Sequence, residues 1–295
     1  MTPLYASIDI GTNSALLLVA EARGGVLEPV LQKVEVPRVG RNLSATGLIS
    51  SQSFRDLMQA LKGFRAAIEG ANALLTGAVA TQAFRKARNG AVLLAEIGAE
   101  LGMPCRLLSG EEEARMAYAA VENRHPLPNL RVLDIGGGST EVTSADRAVS
   151  LELGAVSLTE SGNAPAEWRA GAQAALRGLR AEPGEVVAVG GTASALAMLE
   201  LRLPAFDARA IEGLKLKRGR VSAAIDRLAA MPEAERAALP GLDPGRAGIL
   251  VPGLCILEAF LEAAGVGEFR VSDRGLRYGV ILEWLDKNGK LQSAN

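Results

Sequence analysis

The chain is predicted to be an α/β protein with largely covered sheets. Strand and helix signals alternate through both halves, as sheets faced by helices require. A single turn design occurs twice, Asp-Ile-Gly-x-x-Ser at residues 9–14 and again at 134–139. The length, 295 residues, favours two domains, which agrees with two related halves.

The second copy is the richer one. Val132-Leu133-Asp134-Ile135 reads as a buried strand, and Gly136-Gly137-Gly138-Ser139-Thr140 follows the carboxylate at once. Glycines let the backbone turn sharply with several N–H groups in one concavity, as a phosphate cradle requires. Ser139 and Thr140 add hydroxyl donors, and Thr140-Glu141-Val142 resumes as a strand. The first copy, Asp9-Ile10-Gly11-Thr12-Asn13-Ser14, has the same strand before it and small polar donors in place of two glycines. A lone glycine turn is weak evidence of a ligand. Two copies sharing the Asp and Ser offsets point to paired phosphate loops, with the two carboxylates available to a metal or a water.

From the N-terminus, residues 5–36 read as a β-meander that turns at Gly24-Gly25, with Pro29 and Pro37 marking edges. Residues 39–43 read as loop. Ser51 or Ser53 is expected to cap a helix to about Glu69, because Phe54, Leu57, Leu61, Phe64 and Ile68 share one helical face. Leu74–Thr81 is a short buried strand, Gln82–Gly90 begins a helix, a helix covers about 90–101, and Cys105–Leu108 is a strand. Ser109-Gly110-Glu111-Glu112-Glu113-Ala114-Arg115 then starts a helix. A serine cap and first-turn acids explain one or two of these glutamates. Three, directly after a strand, also put carboxylates where ligands of α/β proteins sit, and one could orient an attacking water.

The connector 122–130, Pro126 and Pro128 included, is the expected domain boundary. Beyond the second loop, Ala148–Leu153 is a strand, 154–160 turns into a helix, and Ala166–Leu179 is amphipathic helix. Val186–Val189 runs into a third glycine turn, Gly190-Gly191-Thr192, and a helix to Glu200. Lys215-Leu216-Lys217-Arg218-Gly219-Arg220, the densest basic run, reads as a solvated helix start or a polyanion contact. A helix over Ile249–Ala264, a strand over 269–272 and a closing helix over Gly275–Leu285 complete the chain.

Composition narrows the chemistry. Apolar content of 48% and charged content of 22% suit a globular protein, and a net charge of −1 supplies no global pull on nucleic acid or membrane. No secretory signal and no spanning segment is visible, so the cytoplasm is expected, with Cys105 and Cys255 as reduced thiols. The single histidine, His125, sits in the proline-rich connector, so a zinc site or a Ser–His–Asp triad has no material. Any metal should be a hard cation held by oxygen, and Mg²⁺ suits phosphate chemistry best. Ala-rich apolar helices leave a homodimer open.

These motifs together resemble the exopolyphosphatase/guanosine pentaphosphate phosphatase family, in its short two-domain type, within the acetate kinase–sugar kinase–heat-shock ATPase–actin superfamily. The resemblance rests on Ile8–Ser14, Ala80-Thr81-Gln82-Ala83-Phe84-Arg85, Ser109–Arg115, Asp134–Glu141 and Gly190-Gly191-Thr192. Leu239-Pro240-Gly241-Leu242 and Val271–Gly279 extend it to the tail. It implies two ribonuclease-H-like, actin-like ATPase domains, residues 1–124 and 125–279, with a segment of about 280–295 packing back on the first and an active site between them. It implies Mg²⁺ near Asp9, Asp134 and Glu141, and phosphate contacts from Gly11, Thr12, Asn13, Ser14, Gly136, Gly137, Gly138, Ser139, Thr140, Gly191 and Thr192. Arg85 becomes a phosphate-binding cation, and Glu113 the carboxylate that positions water, with Glu112 its rival. Glu212 and Gly248 stand where the family pattern has His and Asp.

The implied activity is Mg²⁺-assisted hydrolysis of terminal phosphate from inorganic polyphosphate, guanosine pentaphosphate or both. An ATP-dependent kinase or ATPase of the superfamily and a non-catalytic polyphosphate or alarmone sensor are the alternatives.

Overall fold

The computed structural model describes residues 2–162, 164–179 and 184–291. The chain divides into two compact units, Met1–Pro126 with Arg274–Asn295, and Leu127–Asp273. Positions 292–295 of the expected closing segment lie outside the described residues.

In the first unit the elements are β1 (Leu4–Ile10), β2 (Ala15–Arg23), β3 (Val26–Glu35), a single turn α1 (Leu43–Thr46), α2 (Ser51–Gly70), β4 (Leu74–Ala80), α3 (Gln82–Lys86), α4 (Gly90–Leu101), β5 (Cys105–Leu107) and α5 (Gly110–Arg124). The second unit runs through β6 (Arg131–Ile135), β7 (Thr140–Thr143), β8 (Ala148–Leu151), α6 (Ala155–Ser161), α7 (Pro165–Leu176), β9 (Val186–Val189), α8 (Gly190–Leu201) and α9 (Ala208–Ile211). It continues with β10 (Lys215–Lys217), α10 (Arg218–Ala229), α11 (Glu233–Ala237), a 3₁₀ turn at Pro244–Arg246, α12 (Leu250–Ala263) and β11 (Glu268–Val271). The closing helix α13 (Leu276–Lys287) belongs to the first unit.

The two sheets share a plan. The first has the order β3-β2-β1-β4-β5, antiparallel from β1 to β3 and parallel from β1 to β5. The second repeats it as β8-β7-β6-β9-β11, and β10 is added antiparallel at the edge. Each unit is therefore a ribonuclease-H-like layer in which a hairpin feeds parallel strands through crossover helices.

Period-2 alternation decides which side chains face which helices. Ala6, Ile8 and Ile10 of β1 join Leu17 and Val19 of β2 against Leu57, Leu61 and Phe64 of α2 and Ile97 of α4. On the opposite face Tyr5, Leu18 and Ala20 meet Tyr278, Ile281 and Leu285 of α13. The same face carries Ser7, whose hydroxyl donates to the Arg277 carbonyl at 2.6 Å, and Asp9. In the second unit α12 is buried along nearly its whole length, with Pro252 tolerated in its first turn.

Three local expectations change. The cap of α2 is Ser50, whose hydroxyl accepts from Ser53 N–H at 3.1 Å, while the Ser53 hydroxyl donates to the Arg38 carbonyl. Leu43, read as the end of a loop, instead begins a helical turn, Leu43–Thr46. The basic run begins as strand β10, because Lys215-Leu216-Lys217 alternates and Leu216 is buried while both lysines are exposed; helix starts only at Arg218.

Candidate active site

In the first unit the loop after β1 closes with Gly11 N–H donating to the Ser14 carbonyl at 2.9 Å. A Cβ on Gly11 would stand 3.3 Å from that same oxygen. Thr12, Asn13 and Ser14 are all buried, and the Asn13 amide donates to the Ser14 hydroxyl at 3.2 Å. Two loop carbonyls are taken from outside, Asn13 by Arg38 N–H at 3.0 Å and Thr12 by Gly40 N–H at 2.8 Å. The brace, residues 38–40, enters through Arg38 in the left-handed region (φ 54) and runs so close that a Cβ on Gly40 would overlap the Thr12 methyl.

The Thr81 turn lies beside it, with Thr81 N–H donating to the Ile10 carbonyl at 3.2 Å. Helix α3 then points Arg85 at the end of β5 and the start of α5. Its guanidinium donates to the Leu108 carbonyl at 2.6 Å and to the Glu113 carboxylate at 3.3 Å. Glu113 is 8% exposed. Glu112 has another duty, as third residue of a capping box: its carboxylate accepts from Ser109 N–H at 2.7 Å, and Glu112 N–H donates to the Ser109 hydroxyl at 3.2 Å. Those hydrogen bonds hold the Glu112 carboxyl below the usual glutamate range. Glu111 is exposed.

The second unit repeats the closure, with Gly136 N–H donating to the Ser139 carbonyl at 2.9 Å. Here the brace is a helix start. Ala155 N–H takes the Gly136 carbonyl at 2.9 Å, while Val156 and Ser157 take that of Gly137 at 2.7 and 3.2 Å. A Cβ on Gly154 would run into the backbone of Gly137 and Gly138. Thr140 is fully buried and donates to the Leu153 carbonyl at 2.5 Å.

Asp134 and Glu141 are direct partners across β6 and β7, and Glu141 and Ser150 across β7 and β8. All three therefore share one face of the sheet. The Ser150 hydroxyl donates to the Glu141 carboxylate at 2.7 Å. Two carboxylates opposed in this way repel unless protons or a cation intervene, and oxygen-only donors suit a hard cation. Among the described residues no three His, Cys, Asp or Glu side chains gather as a metal-binding group; Asp9 belongs to the first unit and Asp134 and Glu141 to the second.

The third glycine turn sits at the end of β9, next to Asp134. Gly190 has φ +84, and a Cβ there would stand 2.7 Å from the Asp134 carboxylate. A side chain on Gly191 would collide with the guanidinium of Arg246, which ends the 3₁₀ turn after Leu239–Leu242. Arg246 is a cation at this turn that sequence reasoning missed; its only signal in the chain is its place just beyond Leu239-Pro240-Gly241-Leu242. Thr192 is buried against Gly253 of α12. The two departures from the family pattern are accommodated. Glu212 accepts from the Ser272 hydroxyl at 2.7 Å and from Asp273 N–H at 3.0 Å. At Gly248 the Glu233 carboxylate fills the space, 3.1 Å from where a Cβ would be.

Two topologically matched layers, each with an Asp-Ile-Gly-x-x-Ser loop closed by the same hydrogen bond, define a protein built to handle phosphate groups. The chain matches the Ppx/GppA phosphatase family over residues 18–288 and belongs to it. It is 29% identical to Exopolyphosphatase 2 of Mycobacterium tuberculosis, covering 94% of this chain and 97% of that protein. It is 30% identical to Exopolyphosphatase 1 of Mycobacterium bovis, covering 95% and 87%. Its fold matches the crystal structure of the Aquifex aeolicus Ppx/GppA family member with a TM-score of 0.82 at 29% identity, over 98% of this chain and 99% of that one. An exopolyphosphatase-like protein gives a TM-score of 0.86 at 27% identity, over 97% and 99%. The chain is thus a phosphohydrolase of the actin-like ATPase fold. No helix among the described residues is long and apolar enough to cross a membrane.

Proposed function

We propose that the protein hydrolyses the terminal phosphoanhydride bond of inorganic polyphosphate, guanosine pentaphosphate or both, in the cytoplasm. The observation that carries this reading is the Arg85–Glu113 pair, a buried carboxylate held at 3.3 Å by a guanidinium beside the Thr81 turn. Phosphoryl transfer to water needs neutralised phosphate oxygens and a positioned nucleophile. Arg85 supplies positive charge, and Glu113 accepts a proton from the attacking water and orients it. Glu112 is the weaker candidate because the capping box engages its carboxylate. Backbone N–H groups and hydroxyls of Gly11–Ser14, Gly136–Thr140 and Gly191–Thr192 hold phosphate oxygens, and Arg246 adds a cation at the third turn.

Asp134 and Glu141, opposed on one face of the second sheet, suit Mg²⁺, which keeps waters and substrate oxygens alongside one or two carboxylates; Asp9 is the matching carboxylate of the first loop. When bound, that ion neutralises charge on the phosphates.

The test is phosphate release with Mg²⁺ from long polyphosphate, short polyphosphate, guanosine pentaphosphate and ATP at matched phosphate ends. Release from one of the first three well above ATP supports the reading and identifies the substrate. Release from ATP alone, or transfer to an added acceptor, moves the protein to kinase or ATPase chemistry. Glu113→Gln should abolish turnover and spare binding; unchanged turnover would remove Glu113 from the mechanism.

A further inference from the structure

Far from the glycine turns of the second unit, three arginines meet around one pocket. Its volume is about 220 Å³, and its lining includes Glu200, Arg202, Arg220, Ala223, Ala224 and Arg227. Residues 220, 223, 224 and 227 fall at helical spacing on α10, so one face of that helix carries a guanidinium at each end and two alanine methyls between. Across from it, Arg202 closes α8 in the left-handed region (φ 55), where glycine or asparagine is the usual occupant. A long side chain has been placed at a position that favours none.

Charge in the pocket is unbalanced. Glu200 pairs with Arg220 at 2.7 Å. The guanidiniums of Arg202 and Arg227 make no ion pair or hydrogen bond with the described residues. The pocket therefore holds three positive groups against one negative. The last carbonyls of α8 are capped by Arg202 N–H, so the negative end of that helix is partly satisfied, while Arg220 lies in the first turn of α10, at its positive end. Guanidinium forks match the paired oxygens of phosphate, and alanines leave the floor open for a compact anion.

We propose that this pocket binds an oligophosphate anion at a site separate from the phosphate turn of the same unit. Helix α8 begins in the Gly190 turn and ends at the pocket, and its 12 residues separate the two by about 18 Å at the usual rise. The anion site rests on the pocket itself; its choice of phosphate rests on the function proposed above. Of the basic run only Arg220 lines the pocket, and Lys215 pairs with Glu268 at 3.4 Å.

Arginine labelling with phenylglyoxal, read residue by residue by peptide mass spectrometry on the full chain, tests this with inorganic tripolyphosphate as the probe. Citrate at matched ionic strength is the control. Labelling at Arg202, Arg220 and Arg227 should fall severalfold with tripolyphosphate, while exposed Arg55 and Arg209 stay unchanged. In Arg202→Ala/Arg227→Ala, protection of Arg220 should disappear. Unchanged labelling at Arg202 and Arg227, or equal protection by citrate, overturns the site. Arg85 in the same data reports separately on the proposed active site, so failure of one reading does not masquerade as failure of the other.

Discussion

The two Asp-Ile-Gly-x-x-Ser loops are closed alike and braced differently. Gly11 N–H to Ser14 and Gly136 N–H to Ser139 are the same hydrogen bond at the same 2.9 Å. In the first unit an irregular segment, Arg38 to Gly40, takes the loop carbonyls; in the second the first turn of α6 does. The brace glycines answer to different atoms. Gly40 leaves room for the Thr12 methyl, a side chain, whereas Gly154 leaves room for the backbone of Gly137 and Gly138. The first loop carries Thr12 and Asn13 where the second has Gly137 and Gly138, so one can offer side-chain donors and the other chiefly N–H groups.

The second unit should break first. Gly154→Ala drives a Cβ into the Gly137 and Gly138 backbone, and Gly190→Ala adds a left-handed strain to a clash with Asp134. Each should cost about 1–3 kcal/mol, seen in a urea melt, and phosphate release should fall further than stability because the loop itself moves. Gly40→Ala should cost less, because its first obstacle is the Thr12 methyl. Adding Thr12→Ser to Gly40→Ala should recover part of the loss, whereas no substitution at 137 or 138 can rescue Gly154→Ala.

The acidic segment yields a smaller effect. Ser109→Ala should cost about 1 kcal/mol by removing the cap of α5, and turnover should survive. Glu112→Gln can still close the box, so turnover should survive here too, in contrast to Glu113→Gln. The Glu112 carboxyl is lowered in the fold by its hydrogen bonds to Ser109, so its contribution is present above the ordinary glutamate range. That contribution fades as pH falls through the lowered value. The stability difference between wild type and Glu112→Gln should therefore shrink on going from neutral to acid pH; because the group is exposed, the change is small.

The least perturbing probe uses the thiols, one in each unit. Burial pushes Cys105 up to about 12, with the Asp9 charge adding to it, and burial pushes Cys255 to about 12. Thiolate is the reactive form. Alkylation near neutral pH should be slow at both; denaturant should accelerate it strongly at fully buried Cys255 and less at half-buried Cys105. The Cys255 rate reports how readily the second unit opens, and Gly154→Ala should raise it more than the Cys105 rate.

Much of this was legible in the chain. Alternating strands and helices, the α2 face from Phe54 to Ile68, and the paired loops all rest on spacings within a few residues, which local patterns encode. The cap at Ser109 was legible for the same reason. What escaped was carried by partners distant in sequence. Gly40 read as plain loop, although with Arg38 it braces a loop some 25 residues earlier. The lysines of 215–217 read as helix because only the pairing with 268–270 makes them a strand. Arg246 had no motif of its own until Gly191 was found beneath it.

By itself the sequence determined the two carboxylate-glycine turns, the α/β class and the family, since each is written in contiguous residues. Tertiary structure decided how three adjacent glutamates divide their work. Glu112 bonds within its own turn, while Glu113 meets Arg85 from another helix. A cap is a contact three residues long and can be read from spacing; an ion pair between elements exists only once the chain has brought them together.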